Sequence, residues 1–229
     1  MLKGKKGIIF GIANDHSIAW GIANKLSSYG AELVITYQND ILLKRVKPLA
    51  EKLNSKLLLE CDFSKKNSIE NCFNKINTKW NNIDFVVHAA AYSDKKELDG
   101  NYINTTKNNF INTLNISCYS FTEIAKFASQ MMLNGGSLLT LSFYGANKVM
   151  PNYNVMGIAK AALETSVKYL SVDLGDKNIR VNAISAGPMR TLAGAAIANA
   201  REVYKYTEQN SPLKRNVMLE ELGNTATYF

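Results

Sequence analysis

Short apolar runs and amphipathic stretches alternate along this chain almost without interruption. Runs rich in Val, Ile and Leu fall at Lys6–Phe10, Glu32–Gln38, Lys56–Asp62, Phe85–Ala90, Gly136–Phe143 and Ile179–Ser185. They are short, bounded and rich in Val, Ile and Leu, which reads as strands. Helical spacing takes over between them. It runs through Ile22, Ala23 and Leu26 to near Gly30, then at about Asp40–Leu53, Ser68–Trp80, Thr106–Leu133 and Tyr153–Leu174. Strands separated by helices predict parallel βαβ units with right-handed crossovers and helices on both faces of one sheet. The expected fold class is therefore α/β, a doubly wound parallel sheet in three layers. Ligands of such sheets lie beyond the carboxyl ends of the strands. Those ends fall at Gly11, Gln38, Asp62-Phe63, Ala89–Ser93, Ser142–Tyr144 and Ala186–Leu192, and they carry small, polar or aromatic residues.

The first of these ends reads Gly11-Ile-Ala13-Asn-Asp-His-Ser17-Ile18. Strand, glycine turn and helix start form a Rossmann-like arrangement that aims backbone N–H groups and a helix dipole at a diphosphate. The turn is not the common G-x-G-x-x-G, and taken alone it is equally a turn without a ligand. Ser17 is the expected N-cap, and Gly30 suits the left-handed position after the helix.

The segment Pro151-Asn-Tyr153-Asn-Val-Met156-Gly-Ile-Ala-Lys160 places a phenol and an ammonium seven residues apart at a helix start. Seven residues are almost two turns, so Tyr153 and Lys160 share one face about 10 Å apart along the axis. Such a pair suits a reaction that develops negative charge on an oxygen. The phenol donates a hydrogen bond, and the cation lowers the phenol's pKa or holds a sugar hydroxyl.

Composition narrows the class. The chain has 229 residues and 46% hydrophobic content, ordinary for one α/β domain over residues 1–229. No apolar stretch of about 18 residues is present, so no membrane span is expected. The first strand begins within a few residues of Met1, which leaves no room for a signal peptide. Cys61, Cys72 and Cys118 lack CxxC spacing and read as free thiols of a reducing, cytoplasmic compartment. His16 and His88 are the only histidines, and no metal spacing is recognisable. The net charge of +8 is spread over single lysines, which suits a solvated surface or an acidic partner better than a nucleic-acid groove.

These motifs resemble those of the bacterial NADH-dependent enoyl-[acyl-carrier-protein] reductases, a divergent branch of the short-chain dehydrogenase/reductase superfamily. The resemblance covers nearly the whole chain: G-x5-S-I-A (Gly11 to Ala19), Thr36 to Asp40, Glu97 to Gly100, PNYNVMG-x-AK (Pro151 to Lys160) and RVNAISAGP-x-RTLA (Arg180 to Ala193). The usual superfamily Tyr-x-x-x-Lys would place its Tyr at Met156; here the phenol sits one turn earlier, at Tyr153. The resemblance implies reduction of the 2,3 double bond of trans-2-enoyl-[acyl-carrier-protein] thioesters with NADH, in fatty-acid elongation. It implies that Tyr153 stabilises the thioester oxygen and that Lys160 holds the nicotinamide ribose. Gly11, Ala13, Ser17 and Ile18 would cradle the diphosphate, and Asp62 and Phe63 would flank the adenine. Ala90, Met189, Arg190, Thr191, Leu192 and Ala193 match further cofactor positions, and Ser93 matches a substrate position. An acidic acyl carrier protein as partner and a homotetramer follow from the same resemblance.

The second strand ends in Gln38, with Asp40 behind it and the first bases only at Lys44 and Arg45. A neutral amide hydrogen-bonds a ribose hydroxyl but does not neutralise a 2′-phosphate, which favours NADH as cofactor. Three positions depart from the family. Phe143 stands where a second Tyr is common, and Tyr144 is the residue that would have to supply a hydroxyl toward substrate. The helix after Ala193 keeps Arg201 of a basic docking face, but neighbouring positions hold Ala198 and Glu202. The chain stops at Phe229, where the family continues through another strand; a truncated C-terminus and an exposed sheet edge beside Val181, Ala183 and Ile184 are expected. A carbonyl reductase of the same fold and a non-catalytic NAD-binding paralogue are the alternatives.

Overall fold

In a computed structural model, which describes Met1–Phe229 except Ala198, the apolar runs become six strands. They are β1 (Lys6–Phe10), β2 (Glu32–Tyr37), β3 (Leu57–Glu60), β4 (Phe85–His88), β5 (Gly136–Ser142) and β6 (Ile179–Ser185). All five pairings are parallel, in the order β3-β2-β1-β4-β5-β6. The chain reverses its direction of travel between β1 and β4, and the cleft there is the switch point of a doubly wound sheet. Register is direct: Ile8 pairs with both Val34 and Val86.

Alternate strand residues point to opposite faces, which gives two cores. On one face Ile8, Val34, Val86, Leu138 and Val181 pack with Phe73 of α3 (Ser68–Asn77), Phe121 of α5 (Ser120–Met131) and Leu163 of α6 (Asn154–Gly175). On the other, Ile9, Leu33, Ile35, Val87 and Leu139 pack with Ile22 of α1 (Ile18–Ser28), Val46 of α2 (Asp40–Lys52) and Leu222 of α8 (Leu219–Tyr228). The predicted three layers are present.

The expected continuous helix at about 106–133 is interrupted. It consists of α4 (Lys107–Leu114) and α5 joined through a π-helical turn, Asn115–Tyr119. Long-range hydrogen bonds accompany the widened turn: Asn115 Nδ2 donates to Phe63 O (3.3 Å), and Ser117 Oγ accepts from Tyr92 N (3.0 Å) and donates to Tyr92 O (3.1 Å). Such turns cluster at functional sites, and Ile116 of this one lines the main cavity. After β6 come α7 (Ala200–Asn210) and α8. β6 is the last strand of the sheet, yet Val181 and Ile184 are buried, and the Arg180 guanidinium donates to the Phe229 carbonyl.

Candidate active site

A cavity of about 670 Å³ opens along the carboxyl ends of the strands. At its centre the chain leaves β1 through Gly11 at φ +100°, where a Cβ would collide with the Ala89 carbonyl. Glycine is required there for conformation and for close approach alike. Ser17 holds the turn in an unexpected way. Its Oγ makes no cap bond to α1; it accepts from Ala13 N (3.0 Å) and Asn14 N (3.1 Å) and donates to Asn14 Oδ1 (3.3 Å). The turn is closed by its own serine, and Ser17 and Ile18 at the start of α1 line the cavity, the end of a helix that favours an anion.

Thr36, Gln38, Asp62 and Phe63 form one end of the cavity. Burial acts to raise the Asp62 pKa, but hydrogen bonds from Ser64 and Gln38 outweigh it and leave the carboxyl below its usual value. Gln38 Nε2 donates to Asp62 Oδ1 (3.4 Å), so the amide and the carboxylate form one unit. The Phe63 ring stacks on His88, with centroids 5.6 Å apart and planes at 15°. The lining cations among the described residues are Lys95 and Lys160, and neither belongs to this end. Lys65 lies outside the lining and acts on Asp62 only at longer range, so the lining itself offers a ribose hydroxyl an amide and a carboxylate and offers a phosphate no direct cation.

Tyr153 and Lys160 occupy another part of the same cavity, Tyr153 at the N-cap of α6 and Lys160 on its second turn. Tyr153 is 7% exposed, and the Phe143 ring meets it edge-on at 5.1 Å. No hydrogen bond to its hydroxyl is found among the described residues. Burial raises the phenol's pKa, which of the two expected tasks of the cation favours holding a sugar hydroxyl over lowering that pKa. The consequence is chemical: Tyr153 stays a neutral donor. Lys160, 6% exposed, donates from Nζ to the Leu141 carbonyl (2.7 Å). Burial pushes its pKa down to about 8, opposed by Cys118 and Glu164. Met156, at the usual tyrosine position, is buried and lines the cavity beside Leu98, Ile197 and Val203. A neutral phenol, a buried ammonium and an apolar wall can stabilise an oxyanion at the end of a long apolar substrate.

Residues 11–229 match the model of the family described as Enoyl-(Acyl carrier protein) reductase. The chain belongs to that family. It is 55% identical over 228 residues to enoyl-[acyl-carrier-protein] reductase [NADH] 2 of Rhizobium meliloti, covering 100% of this chain and 85% of that protein. It is 46% identical to the enoyl-[acyl-carrier-protein] reductase [NADH] FabI of Bacillus subtilis, covering 99% and 89%. The crystal structure of FabI from Candidatus Liberibacter asiaticus superposes with a TM-score of 0.97 at 53% identity, covering 99% of this chain and 88% of that one. The Anaplasma phagocytophilum reductase, solved in complex with NAD, superposes with a TM-score of 0.93 at 52% identity, covering 99% and 85%.

Most positions matched to the family converge on one cavity. Gly11, Ala13, Ser17, Ile18, Gln38, Asp62, Phe63, Ala90, Ser93, Tyr153, Lys160, Met189, Thr191, Leu192 and Ala193 all line it. Two do not. Arg190 lines a smaller neighbouring cavity of about 470 Å³, beyond a wall pinned by the Tyr204 hydroxyl on Met189 O (2.8 Å). Tyr144 is exposed and outside both linings, because it begins a short 3-10 turn that carries it away while Phe143 faces Tyr153. Ser93 reaches the cavity, but its hydroxyl is engaged by Asn109 Nδ2 (3.1 Å) and Thr113 Oγ1 (3.0 Å). Ala198 lies outside the described residues. Sequence reasoning passed over His88, whose ring bonds Thr140 and Ser120 beneath Phe63, and Glu164, one turn after Lys160. For Glu164 the i, i+4 spacing was a readable signal.

Proposed function

We propose that this protein reduces the 2,3 double bond of trans-2-enoyl-[acyl-carrier-protein] thioesters with NADH, in fatty-acid elongation. The observation that carries the reading is Tyr153: a buried, neutral phenol whose hydroxyl has no hydrogen-bond partner among the described residues, lining a cavity that also holds the Lys160 ammonium. The site fits a dinucleotide. Gly11 leaves room where a side chain would not fit, Ser17 and Ile18 at the start of α1 line the cavity, and the Gln38–Asp62 unit offers hydrogen bonds to a ribose with no cation of the lining beside it for a 2′-phosphate. NADH, when bound, would supply the hydride that adds to the β-carbon of the enoyl group; the α-carbon then takes a proton from solvent water as the thioester carbonyl re-forms.

The chain's own residues act on charge and position. Negative charge grows on the thioester oxygen as the double bond is reduced, and Tyr153 Oη donates its hydrogen bond there while keeping its proton. One such donor contributes about 3–4 kcal/mol to the barrier. The Lys160 ammonium holds the ribose hydroxyls at the nicotinamide end, a positioning role. Gly11, Ala13, Ser17 and Ile18 receive the diphosphate; Asp62 and Phe63 flank the adenine. Leu98, Met156, Ile197 and Val203 receive the acyl chain and exclude water.

An acyl carrier protein presents the substrate. α7 offers it Arg201 and Lys205 interspersed with Glu202 and Glu208, a mixed face rather than a basic one. We also propose a homotetramer, supported by exposed apolar side chains on the α4 to α6 surface (Ile111, Tyr119, Tyr169 and Val172). Light scattering on the purified protein tests it. The proposed compartment is the cytoplasm; no described helix is long and apolar enough to cross a membrane. Following NADH loss with a 2-enoyl thioester, and with a ketone in parallel, tests the activity. Turnover of the ketone alone would favour a carbonyl reductase, which Met156 and Phe143 argue against.

A further inference from the structure

Glu164 lies one turn beyond Lys160 on α6. Its Oε1 accepts from Ser142 Oγ at 2.5 Å and its Oε2 from Asn147 Nδ2 at 3.2 Å. One carboxylate thereby grips both ends of the segment Ser142–Asn147, and the shorter contact lies in the range of strong, charge-assisted bonds. The segment is the wall behind Tyr153. Phe143 packs against the phenol ring, and Gly145 sits so close that a Cβ on it would collide with that ring. Immediately before the first anchor, the Leu141 carbonyl receives the Lys160 ammonium.

We propose that Glu164 is a positioning residue of this site: its carboxylate holds the Ser142–Asn147 wall against Tyr153 and supplies the negative charge that keeps Lys160 an ammonium ion. The inference rests on the roles given to Tyr153 and Lys160 above. The titratable groups around Lys160 are His88 from β4, Cys118 from the π-helical turn, Glu164 from α6 and, on the same cavity wall, Tyr153 at the N-cap of α6. His88 is neutral, its pKa pushed down to about 3 by burial and by Lys160 itself, and burial keeps Tyr153 neutral too. Of the four, only Glu164 is a carboxylate. Burial holds Lys160 at about 8, so a small loss of negative charge moves its titration into the neutral range.

The test uses the full chain and two variants that separate charge from grip. Glu164→Gln keeps size and hydrogen bonding but removes the charge; Ser142→Ala releases the wall and keeps the charge. NADH dissociation constants are measured by fluorescence titration between about pH 6 and pH 9.5, spanning the ordinary range of such shifts. Wild-type affinity should fall as pH rises past about 8. In Glu164→Gln the fall should begin about one pH unit lower, with affinity on the acid side unchanged. Ser142→Ala should leave the fall in place and lower kcat about 3- to 10-fold at constant KM for NADH, the worth of one hydrogen bond. A fall present in wild type but unmoved in Glu164→Gln overturns the role of Glu164 alone. A fall that moves in Cys118→Ser instead assigns the charge to the thiol and also overturns it. A wild type without any fall, together with a Lys160→Ala variant of normal affinity, sinks the ribose role of Lys160 and this proposal with it. If Glu164→Gln fails to fold, Asn147→Ala tests the grip from its exposed side, and unchanged kcat in both Asn147→Ala and Ser142→Ala rejects it.

Discussion

Tyr153→Phe removes one oxygen from a side chain that is 7% exposed and whose ring is fixed by Phe143 at 5.1 Å. Because the hydroxyl has no hydrogen-bond partner among the described residues, its loss orphans nothing, and stability should change by less than about 1 kcal/mol. Catalysis should respond very differently. The hydroxyl meets charge that appears only in the transition state, so its absence falls on kcat. Loss of one preorganised donor amounts to about 3–4 kcal/mol, which at about 1.4 kcal/mol per decade is a 10²- to 10³-fold drop. NADH binding, assigned to Lys160 and the Gly11–Ile18 turn, should stay within about twofold of wild type. Following NADH absorbance with a 2-enoyl thioester gives the first quantity, and titration of NADH gives the second. Because burial holds the phenol above its ordinary 10.0, wild-type kcat should also lack an alkaline limb from Tyr153 below that pH. A variant turning over within tenfold of wild type would refute the assignment. So would one whose loss lay entirely in NADH affinity.

Lys160→Ala should weaken NADH binding as well as rate, and Lys160→Arg should be milder without being neutral, since a planar fork does not reproduce a compact donor; an unchanged NADH dissociation constant in the alanine variant would remove Lys160 from the ribose. Phe143→Tyr should change kcat by less than about tenfold if a second hydroxyl merely assists Tyr153; a much larger rise would show the chain to be impaired as it stands. His88 titrates at about 3 in the folded protein against 6.5 for a free imidazole. Between those values the unfolded chain binds more protons, so stability should fall as pH drops through that window, by at most about 1.4 kcal/mol per pH unit from this group. Thermal melts of wild type and His88→Gln across that range should diverge, and parallel slopes would count against a neutral buried His88.

Short runs rich in Val, Ile and Leu, alternating with helical spacing, left a doubly wound parallel sheet as the natural solution, and the structure has it. Gly11, Tyr153 and Lys160 were legible for the same reason. Backbone turns and a shared helical face are set by covalent geometry within a few residues, and spacing alone expresses that. The π-helical turn was not legible, because Asn115 and Ser117 reach partners at Phe63 and Tyr92 that lie far off in sequence. Nor was the fate of Tyr144, since whether it or Phe143 faces Tyr153 depends on a turn whose ends are gripped by Glu164. The phenol's pKa moves opposite to one of the two tasks expected of its cationic neighbour. Both groups belong to the start of α6, but packing buries the phenol, and burial is what moves its pKa. Sequence determined which groups share an element; only tertiary packing decided which are dry, which are partnered and which charge each one feels, because burial and Coulomb energy sum over residues that the chain holds far apart.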